Sequence, residues 1–167
     1  MMRPYDLIIL EGVQGAGKTN LITFLKNDKT ISEIAEFYHE EGKEDIPFAF
    51  REAVYWFNRL ITYAQIAQTI ANGKVAIAER SYLSGFVYKT FGFEPALMSL
   101  IYRGANIDPR RVLVIVLNKE DTEEELPAYK YTLLTQAGAP LGETVVMFNS
   151  VNDAFQYLMK LFPQKEE

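Results

Sequence analysis

Eight residues near the start of the chain have the types and the spacing needed to hold a polyphosphate. Residues 12–19 read Gly-Val-Gln-Gly-Ala-Gly-Lys-Thr. Glycines allow consecutive backbone N–H groups to turn toward one anion, and a helix that begins at the end of such a loop adds its positive terminus. Lys18 can reach the β- and γ-phosphates, and Thr19 offers a hydroxyl to Mg²⁺. The residues predicted to bind a nucleoside triphosphate are Gly12, Val13, Gln14, Gly15, Ala16, Gly17, Lys18 and Thr19.

Two polar residues at the end of an apolar segment form a second candidate group. Glu79 and Arg80 follow residues 74–78, which we predict to form a buried strand. An acid at the end of a parallel strand can point at the Mg²⁺ of a phosphate-binding loop, and the planar guanidinium of an arginine suits phosphate oxygens. We therefore predict Lys18, Arg80 and Glu79 as catalytic residues. We predict that Thr19 and Glu79 position Mg²⁺.

The second group resembles the thymidylate kinase and deoxynucleoside kinase family of P-loop kinases. Thymidylate kinases carry Asp-Arg-x-x-x-Ser at this strand end, with an aromatic residue four positions after the serine, and deoxynucleoside kinases carry Glu-Arg-Ser. The matching residues of this chain are Glu79, Arg80, Ser81, Ser84 and Tyr88. The resemblance implies ATP-dependent phosphoryl transfer to a deoxynucleoside monophosphate, with ATP as the phosphoryl donor and Mg²⁺ as the cofactor.

The resemblance also implies an acceptor site. In thymidylate kinases, an arginine on a long helix precedes the acidic strand end by about twenty residues and contacts the acceptor nucleotide. Arg59 lies twenty residues before Glu79 in this chain. The candidate acceptor-binding residues are Arg59, Gln14, Ser84 and Tyr88, together with Trp56 as a platform for stacking on the base.

Three features of the chain depart from that family. Gln14 stands where many thymidylate kinases have an acid, so the contact with the acceptor sugar differs. The family's Arg-Glu-Pro-Gly segment after the second strand is missing, and the nearest candidates are residues 40–42 and 51–52. Deoxynucleoside kinases use a glutamate there as a general base, a position that Glu40 or Glu41 could fill. The presumed lid, about residues 119–140, contains two lysines but no arginine. Removing an arginine from phosphoryl transfer costs on the order of 10³ or more in rate.

Three alternatives to a thymidylate kinase-like enzyme remain open. A deoxynucleoside kinase is favoured by Glu-Arg-Ser at residues 79–81, and a pseudo-kinase by the lid without arginine. A GTPase-like switch is favoured by Asn-Lys-Glu-Asp at residues 118–121, which follow an apolar segment as the guanine-reading motif of small GTPases does. That family also needs an Asp-x-x-Gly element, and none of the six aspartates has a glycine three residues on. We therefore favour a polar loop at residues 118–121.

The elements that must position these residues alternate between strands and helices. Strands are predicted at residues 5–10, 31–39, 74–78, 111–117 and 143–148. Helices are predicted at residues 18–27, 47–72, 120–131 and 151–161, the third interrupted by Pro127 and the last capped by Ser150 or Asn149. Such alternation indicates a parallel sheet covered on both faces. We predict one α/β domain over residues 1–167 with a three-layer P-loop fold, whose five-strand parallel sheet has the order 2-3-1-4-5 that the resemblance implies.

The long helix predicted at residues 47–72 carries two different stripes. The apolar stripe, which we expect to pack on the core, consists of Ala53, Phe57, Leu60, Ala64, Ala67 and Ala71. The mixed stripe, which we expect to face a polar cleft, consists of Glu52, Trp56, Arg59 and Tyr63.

Composition limits which classes of protein and which kinds of partner are compatible with the chain. A chain of 167 residues with 49% hydrophobic residues suits one globular domain. The absence of cysteine and the single histidine, His39, exclude disulfides, thiolate zinc sites and histidine-rich metal centres. Because no apolar run is long enough to cross a bilayer and residues 1–6 have no secretory pattern, we expect a cytoplasmic protein without a membrane partner.

The charge of the chain points to a small partner. The net charge is -5 and the seventeen basic residues are scattered. A protein that binds long nucleic acid usually carries a basic face, so we expect no such partner. A small nucleotide or nucleoside acceptor, which needs only a few cations, fits better. A homodimer is compatible with the sequence.

Overall fold

The computed structural model describes residues 3–40, 46–88, 92–119 and 123–162. The strands are β1 (Leu7–Gly12), β2 (Ala35–His39), β3 (Val75–Glu79), β4 (Val112–Leu117) and β5 (Thr144–Phe148). The helices are α1 (Lys18–Asn27), α2 (Lys29–Ile34), α3 (Phe48–Ala71), α4 (Leu83–Tyr88), α5 (Pro95–Gly104), α6 (Glu125–Ala137) and α7 (Val151–Leu161), and a short 3₁₀ helix covers Pro109–Arg111. No helix among these residues, α3 included, is long and apolar enough to cross a membrane.

The sheet has the predicted architecture. Its five strands are all parallel and follow the order β2-β3-β1-β4-β5. Strands β1 and β4 are buried along their whole length, which explains why β4 is wholly apolar and β1 is apolar up to Glu11. Leu10 is in register with Glu79. The loop after β1 and the polar residues after β3 therefore leave the sheet side by side.

Helices cover both faces of the sheet and enclose two apolar cores. One core contains Leu21 and Leu25 of α1 and Leu158 of α7, packed on one face of β1 and β4. The other contains Tyr63 and Ile66 of α3, together with apolar residues of α4, α5 and α6. The prediction of a three-layer α/β fold is confirmed.

Several predicted elements differ from those in the structure. Residues 31–39 were expected to form one strand, but residues up to Ile34 belong to α2, because the Asp28 carboxylate accepts a hydrogen bond from the Ile31 N–H at 3.0 Å and caps that helix. Helices α4 and α5 have no counterpart among the predictions. Pro127 is the third residue of α6, where a backbone N–H has no partner within the helix, so it does not interrupt the helix.

The predicted burial of the apolar stripe of α3 was wrong, whereas Arg59 and Tyr63 of the mixed stripe line a cleft as predicted. The apolar stripe is largely exposed, with Phe57 64% and Leu60 54% accessible. The mixed stripe supplies the buried residues Trp56, Arg59 and Tyr63. The Arg59 guanidinium of this stripe binds Glu40 and the Gly92 carbonyl oxygen. Burial of a polar group costs little once it is hydrogen-bonded. The structure therefore leaves an apolar helix face in contact with solvent.

Candidate functional site

The loop between β1 and α1 depends on glycine at two positions. Gly12 has a φ of 149°, and a Cβ atom there would collide with the carbonyl oxygen of Leu117. Gly17 has a φ of 104°, and a Cβ there would collide with the side chain of Val151. Helix α1 begins at Lys18 without a side-chain cap, so the N–H groups of its first turn are available to an anion.

The lysine of this loop is folded back onto the loop itself. Lys18 Nζ donates to the carbonyl oxygens of Gly12 at 2.7 Å and Val13 at 3.1 Å. Burial and the nearby charge of Arg80 lower the pKa of Lys18 to about 8. Lys18 must therefore rotate away from these carbonyl oxygens to reach a bound phosphate.

The segment after β3 holds Arg80 beside the loop. Arg80 has a φ of 68°, a left-handed conformation that is uncommon for residues other than glycine. Its N–H donates to the Leu10 carbonyl oxygen at 2.9 Å. Its Nη1 lies 3.4 Å from Ser84 Oγ, and its guanidinium lies over the ring of Tyr88, 5.6 Å from the centroid. The guanidinium is thus held by contacts with α4.

Sequence reasoning missed a buried acid at the centre of this region. Glu11 is wholly buried, and its carboxylate accepts hydrogen bonds from Ser81 Oγ at 2.8 Å, Ser84 Oγ at 2.7 Å and the Tyr131 hydroxyl at 2.7 Å. Burial raises the pKa of Glu11, although the three hydroxyl groups and Arg80 act in the opposite direction. A charged residue inside an otherwise apolar strand was the signal that could have identified it.

Two cavities adjoin at the carboxyl ends of β1 and β3. The loop cavity, of about 310 Å³, is lined by Gln14, Gly15, Gly17, Lys18, Thr19, Asn20, Glu79 and Arg80. The α3 cavity, of about 210 Å³, is lined by Tyr38, His39, Glu40, Tyr55, Asn58, Arg59, Ile61, Thr62, Tyr63, Ala78, Glu79 and Arg80. Glu79 and Arg80 line both cavities, so the two cavities meet at these residues.

Comparisons with known proteins establish the fold. No known family model matches the sequence, and no curated protein sequence matches it. A solved structure of thymidylate kinase from Ehrlichia chaffeensis matches with a TM-score of 0.64 over 93% of this chain and 96% of that chain, at 14% identity. The chain has the fold of a P-loop kinase. At such low identity the match extends to the P-loop kinase fold alone, so the reaction must be argued from the site.

Among the predicted acceptor residues, the structure places Arg59 in the α3 cavity. Arg59 is 4% exposed, and its Nη1 donates to the Gly92 carbonyl oxygen at 2.7 Å. Its Nη2 forms an ion pair with Glu40. Its guanidinium lies over the ring of Trp56, 4.6 Å from the centroid. The charge of Arg59 is therefore already engaged by the protein.

The other predicted acceptor residues lie elsewhere in the P-loop kinase fold. Gln14 lines the loop cavity, and Trp56 lies against a different, apolar groove between α3 and α5. Ser84 binds Glu11, and the Tyr88 hydroxyl donates to Glu124 Oε2 at 2.9 Å. None of these four lines the α3 cavity in the described part of the chain.

The presumed lid places an acid on the phosphate-binding loop. The Gln14 backbone N–H donates to Glu124 Oε2 at 3.0 Å, immediately before α6 begins. Lys130, on the same helix, points elsewhere, with Nζ 3.4 Å from the Phe86 carbonyl oxygen. Among the described residues of this segment, a carboxylate and not a cation therefore contacts the loop.

Two proposed residues lie outside the described part of the chain. Glu41 is the alternative to Glu40 as a general base, and Asp121 is the base-reading residue of the GTPase-like alternative. Asn118, from the same alternative motif, donates from Nδ2 to Met147 Sδ at 3.5 Å.

The oxygen ligands available suit a P-loop magnesium ion. Thr19 and Glu79 both line the loop cavity, and Glu79 Oε2 also lies 3.0 Å from His39 Nδ1. Within the described ranges, no three His, Cys, Asp or Glu side chains form a group that could hold a metal. Such a group is not required, because Mg²⁺ in these folds takes most of its ligands from phosphate and water.

Proposed function

We propose that this chain transfers the γ-phosphoryl group of ATP to a deoxynucleoside monophosphate, as a thymidylate kinase-like phosphotransferase. The observation that carries the proposal is that Glu79 and Arg80 line both the loop cavity and the α3 cavity. A donor phosphate in the loop cavity and an acceptor in the α3 cavity would meet at these side chains. Phosphoryl transfer depends on such positioning and on neutralisation of charge.

Most residues of the loop cavity have a role in this reaction. Backbone N–H groups of residues 12–19 hold the donor phosphates, and Lys18 rotates toward the β- and γ-phosphates. Thr19 and Glu79 would hold Mg²⁺, which would neutralise phosphate charge there. Arg80 stabilises the charge that develops on the transferring group.

The acceptor phosphate is assigned to Arg59 in the α3 cavity. Because Glu40 and the Gly92 carbonyl oxygen already bind this guanidinium, the phosphate has to displace Glu40 from Nη2. A phosphate can accept two parallel hydrogen bonds from a guanidinium, which supports this exchange. Tyr38 and Tyr55 line the same cavity and supply aromatic surface for the acceptor.

A phosphorylation screen tests the proposal. Deoxynucleosides and their monophosphates are incubated with ATP, Mg²⁺ and the protein, and transfer of labelled phosphate is measured. We expect transfer to at least one monophosphate, with a loss on the order of 10² or more in Arg80→Ala. Lys26→Ala, at an exposed position near the end of α1, is the control. If ATP binds but no acceptor of either kind is phosphorylated, the kinase proposal is wrong.

A deoxynucleoside kinase is the second candidate, and the ion pair between Glu40 and Arg59 favours it. Glu40 follows β2 and lines the α3 cavity, so it could remove a proton from a sugar hydroxyl. In that case Glu40→Gln should lower kcat for nucleosides by about 10²–10⁴. Monophosphates carry their own anionic oxygen and need no base, so their transfer should survive. Glu36→Gln, an exposed acid on β2, is the matched control.

The exposed face of α3 supports assembly with a second copy of the chain. Exposed apolar side chains of α3 and α5, including Leu60 and Leu100, border an apolar groove of about 360 Å³ between the two helices. Contiguous exposed apolar surface of this kind marks interaction sites. A two-fold contact places one surface patch against the same patch of the second copy. Here the exposed leucines and the groove that they border lie on one face. We therefore propose a homodimer through α3 and α5.

A further inference from the structure

Glu11 connects its own strand to three other segments of the chain. Its carboxylate, at the carboxyl end of β1, binds Ser81 in the segment after β3, Ser84 in α4 and Tyr131 in α6. An ionised carboxylate is costly to bury unless its oxygens are fully hydrogen-bonded. The three hydroxyl groups meet that need, and they fix the relative positions of the elements that carry them.

Two of these hydrogen bonds connect Glu11 with residues beside the phosphate-binding loop. Ser84 Oγ donates to Glu11 and lies 3.4 Å from Arg80 Nη1, so Glu11 and Arg80 hold the same hydroxyl. Tyr131 lies in α6 and connects this helix to Glu11. Glu124, the residue before α6, contacts the phosphate-binding loop. Burial acts to lower the pKa of Arg80, but nearby groups, with the Glu11 carboxylate first among them, raise it.

We infer that Glu11 is a positioning residue for phosphoryl transfer, which holds Arg80 through Ser84 and holds α6 through Tyr131. The inference rests on the proposed kinase function and extends it to a residue that contacts neither substrate. Glu11 orients the guanidinium toward the boundary of the two cavities and sets the distance of α6 from the loop. A displacement of about 1 Å in such a group can cost on the order of 10² in rate.

The chain contains a matched control for a purely structural role. Glu143 is also buried, at 4% exposure, and its carboxylate accepts from the hydroxyls of Tyr82 at 2.7 Å and Tyr102 at 3.2 Å and from the Leu141 N–H at 3.0 Å. It lines neither the loop cavity nor the α3 cavity. Glutamine at either position keeps the shape and one acceptor oxygen but removes the charge.

The experiment compares Glu11→Gln with Glu143→Gln in the full chain, measuring kcat, KM for each substrate and the free energy of unfolding. We expect kcat of Glu11→Gln to fall by about 10² while its Kd for ATP changes by less than about threefold. Glu143→Gln should lose stability but keep kcat within about threefold of the wild-type value. Equal losses of kcat in the two variants, or an unchanged kcat in Glu11→Gln, would overturn the inference.

Two further measurements isolate the connection to Arg80 and to α6. In an Arg80→Ala background, Glu11→Gln should lower kcat by clearly less than about 10², because only the branch through Tyr131 and α6 remains. A full 10²-fold loss in that background contradicts the assigned path. Tyr131→Phe tests the connection between Glu11 and α6. Because it removes only one hydroxyl group, it can replace Glu11→Gln in this test if that variant does not fold. It should lower kcat and raise amide hydrogen exchange in α6, and no change in either quantity overturns this branch.

Failure of the inference and failure of the proposed function give different results. A wild-type protein that phosphorylates no acceptor defeats the proposed function. In that case, faster amide exchange in α6 of Glu11→Gln, and not of Glu143→Gln, would still establish the link between Glu11 and α6. An active wild-type protein with a fully active Glu11→Gln variant defeats the inference alone.

Discussion

At the scale of single residues, the lowered pKa of Lys18 has a measurable consequence for nucleotide binding. The free protein loses the charge of Lys18 as the pH rises through about 8, whereas the ordinary pKa is 10.5. A bound triphosphate favours the charged amine, so the complex retains a proton that the free protein has lost between these two values. We therefore predict proton uptake on ATP binding above pH 8, and an affinity that declines as the pH rises further.

Calorimetry in two buffers of different ionisation enthalpy measures this proton uptake. Lys26→Gln removes an exposed lysine from the end of α1 and should leave the uptake unchanged. Binding at pH 8.5 to 9 without net proton uptake would show that Lys18 is charged in the free protein, contrary to the prediction.

Residues that depend on local spacing could be predicted from the sequence, and residues that depend on burial could not. The order of Gly12, Gly17, Lys18 and the Glu79-Arg80 pair was sufficient to expect one site, and the structure brings Lys18, Glu79 and Arg80 to the loop cavity. Glu11 was missed because its role depends on Tyr131, 120 residues away in the chain. Spacing within one segment contains no information about such a contact.

At the scale of secondary-structure elements, we predict that Glu124, the residue before α6, competes with phosphate for the loop. Glu124 accepts a hydrogen bond from the Gln14 N–H, one of the donors that a phosphate would use. Glu124→Gln removes the negative charge that opposes an incoming triphosphate. We predict ATP binding about tenfold tighter in this variant, since hydrogen bonds to charged groups contribute about 1.5–3 kcal/mol.

A variant of the neighbouring acid separates this contact from a general effect of charge. Glu125→Gln changes the net charge of the chain by the same amount, at an exposed position in the first turn of α6. Titrations of both variants with ATP at one ionic strength make the comparison. Equal affinities for Glu124→Gln and Glu125→Gln would mean that the contact with the loop does not oppose binding.

We predict that Arg59, on the buried face of α3, acts on the acceptor and not on ATP. Arg59 lines the α3 cavity and not the loop cavity. Arg59→Ala should therefore raise KM for a monophosphate acceptor at least about tenfold and leave the Kd for ATP unchanged, because it removes a charged hydrogen-bond donor from one site alone. Arg103→Ala, at an exposed position on α5, is the control. A parallel loss of ATP affinity in Arg59→Ala would contradict the assignment.

At the scale of the whole molecule, the sheet order was predictable but the orientation of α3 was not. Alternating strands and helices indicated a parallel sheet, and the strand order came from the resemblance to thymidylate and deoxynucleoside kinases. Periodicity shows that α3 has two faces, but the face that is buried depends on partners elsewhere. Glu40 neutralises Arg59, and the Tyr38 hydroxyl binds Thr69 Oγ1 at 2.5 Å, so the polar face can pack inward. The apolar face of α3 is therefore exposed to solvent.

The outward face of α3 leads to a prediction about assembly. Leu60 and Leu100 are 54% and 58% exposed and border the groove between α3 and α5. If two copies bury this face, a lysine at either position places a charge in the contact without a partner, which costs several kcal/mol and should dissociate the dimer. We predict a wild-type mass twice the 19.1 kDa of the chain, and Leu60→Lys and Leu100→Lys proteins of 19.1 kDa.

Leu126→Lys provides the matched control for this assembly. Leu126 is 56% exposed and lies on α6, away from the groove. Sedimentation velocity over a range of protein concentrations gives the mass of each variant, and circular dichroism checks that each remains folded. A wild-type chain that sediments at 19.1 kDa at every concentration would contradict the homodimer. Dissociation by Leu126→Lys alone would place the contact on α6 instead, since surface lysines elsewhere should not affect a dimer through α3 and α5.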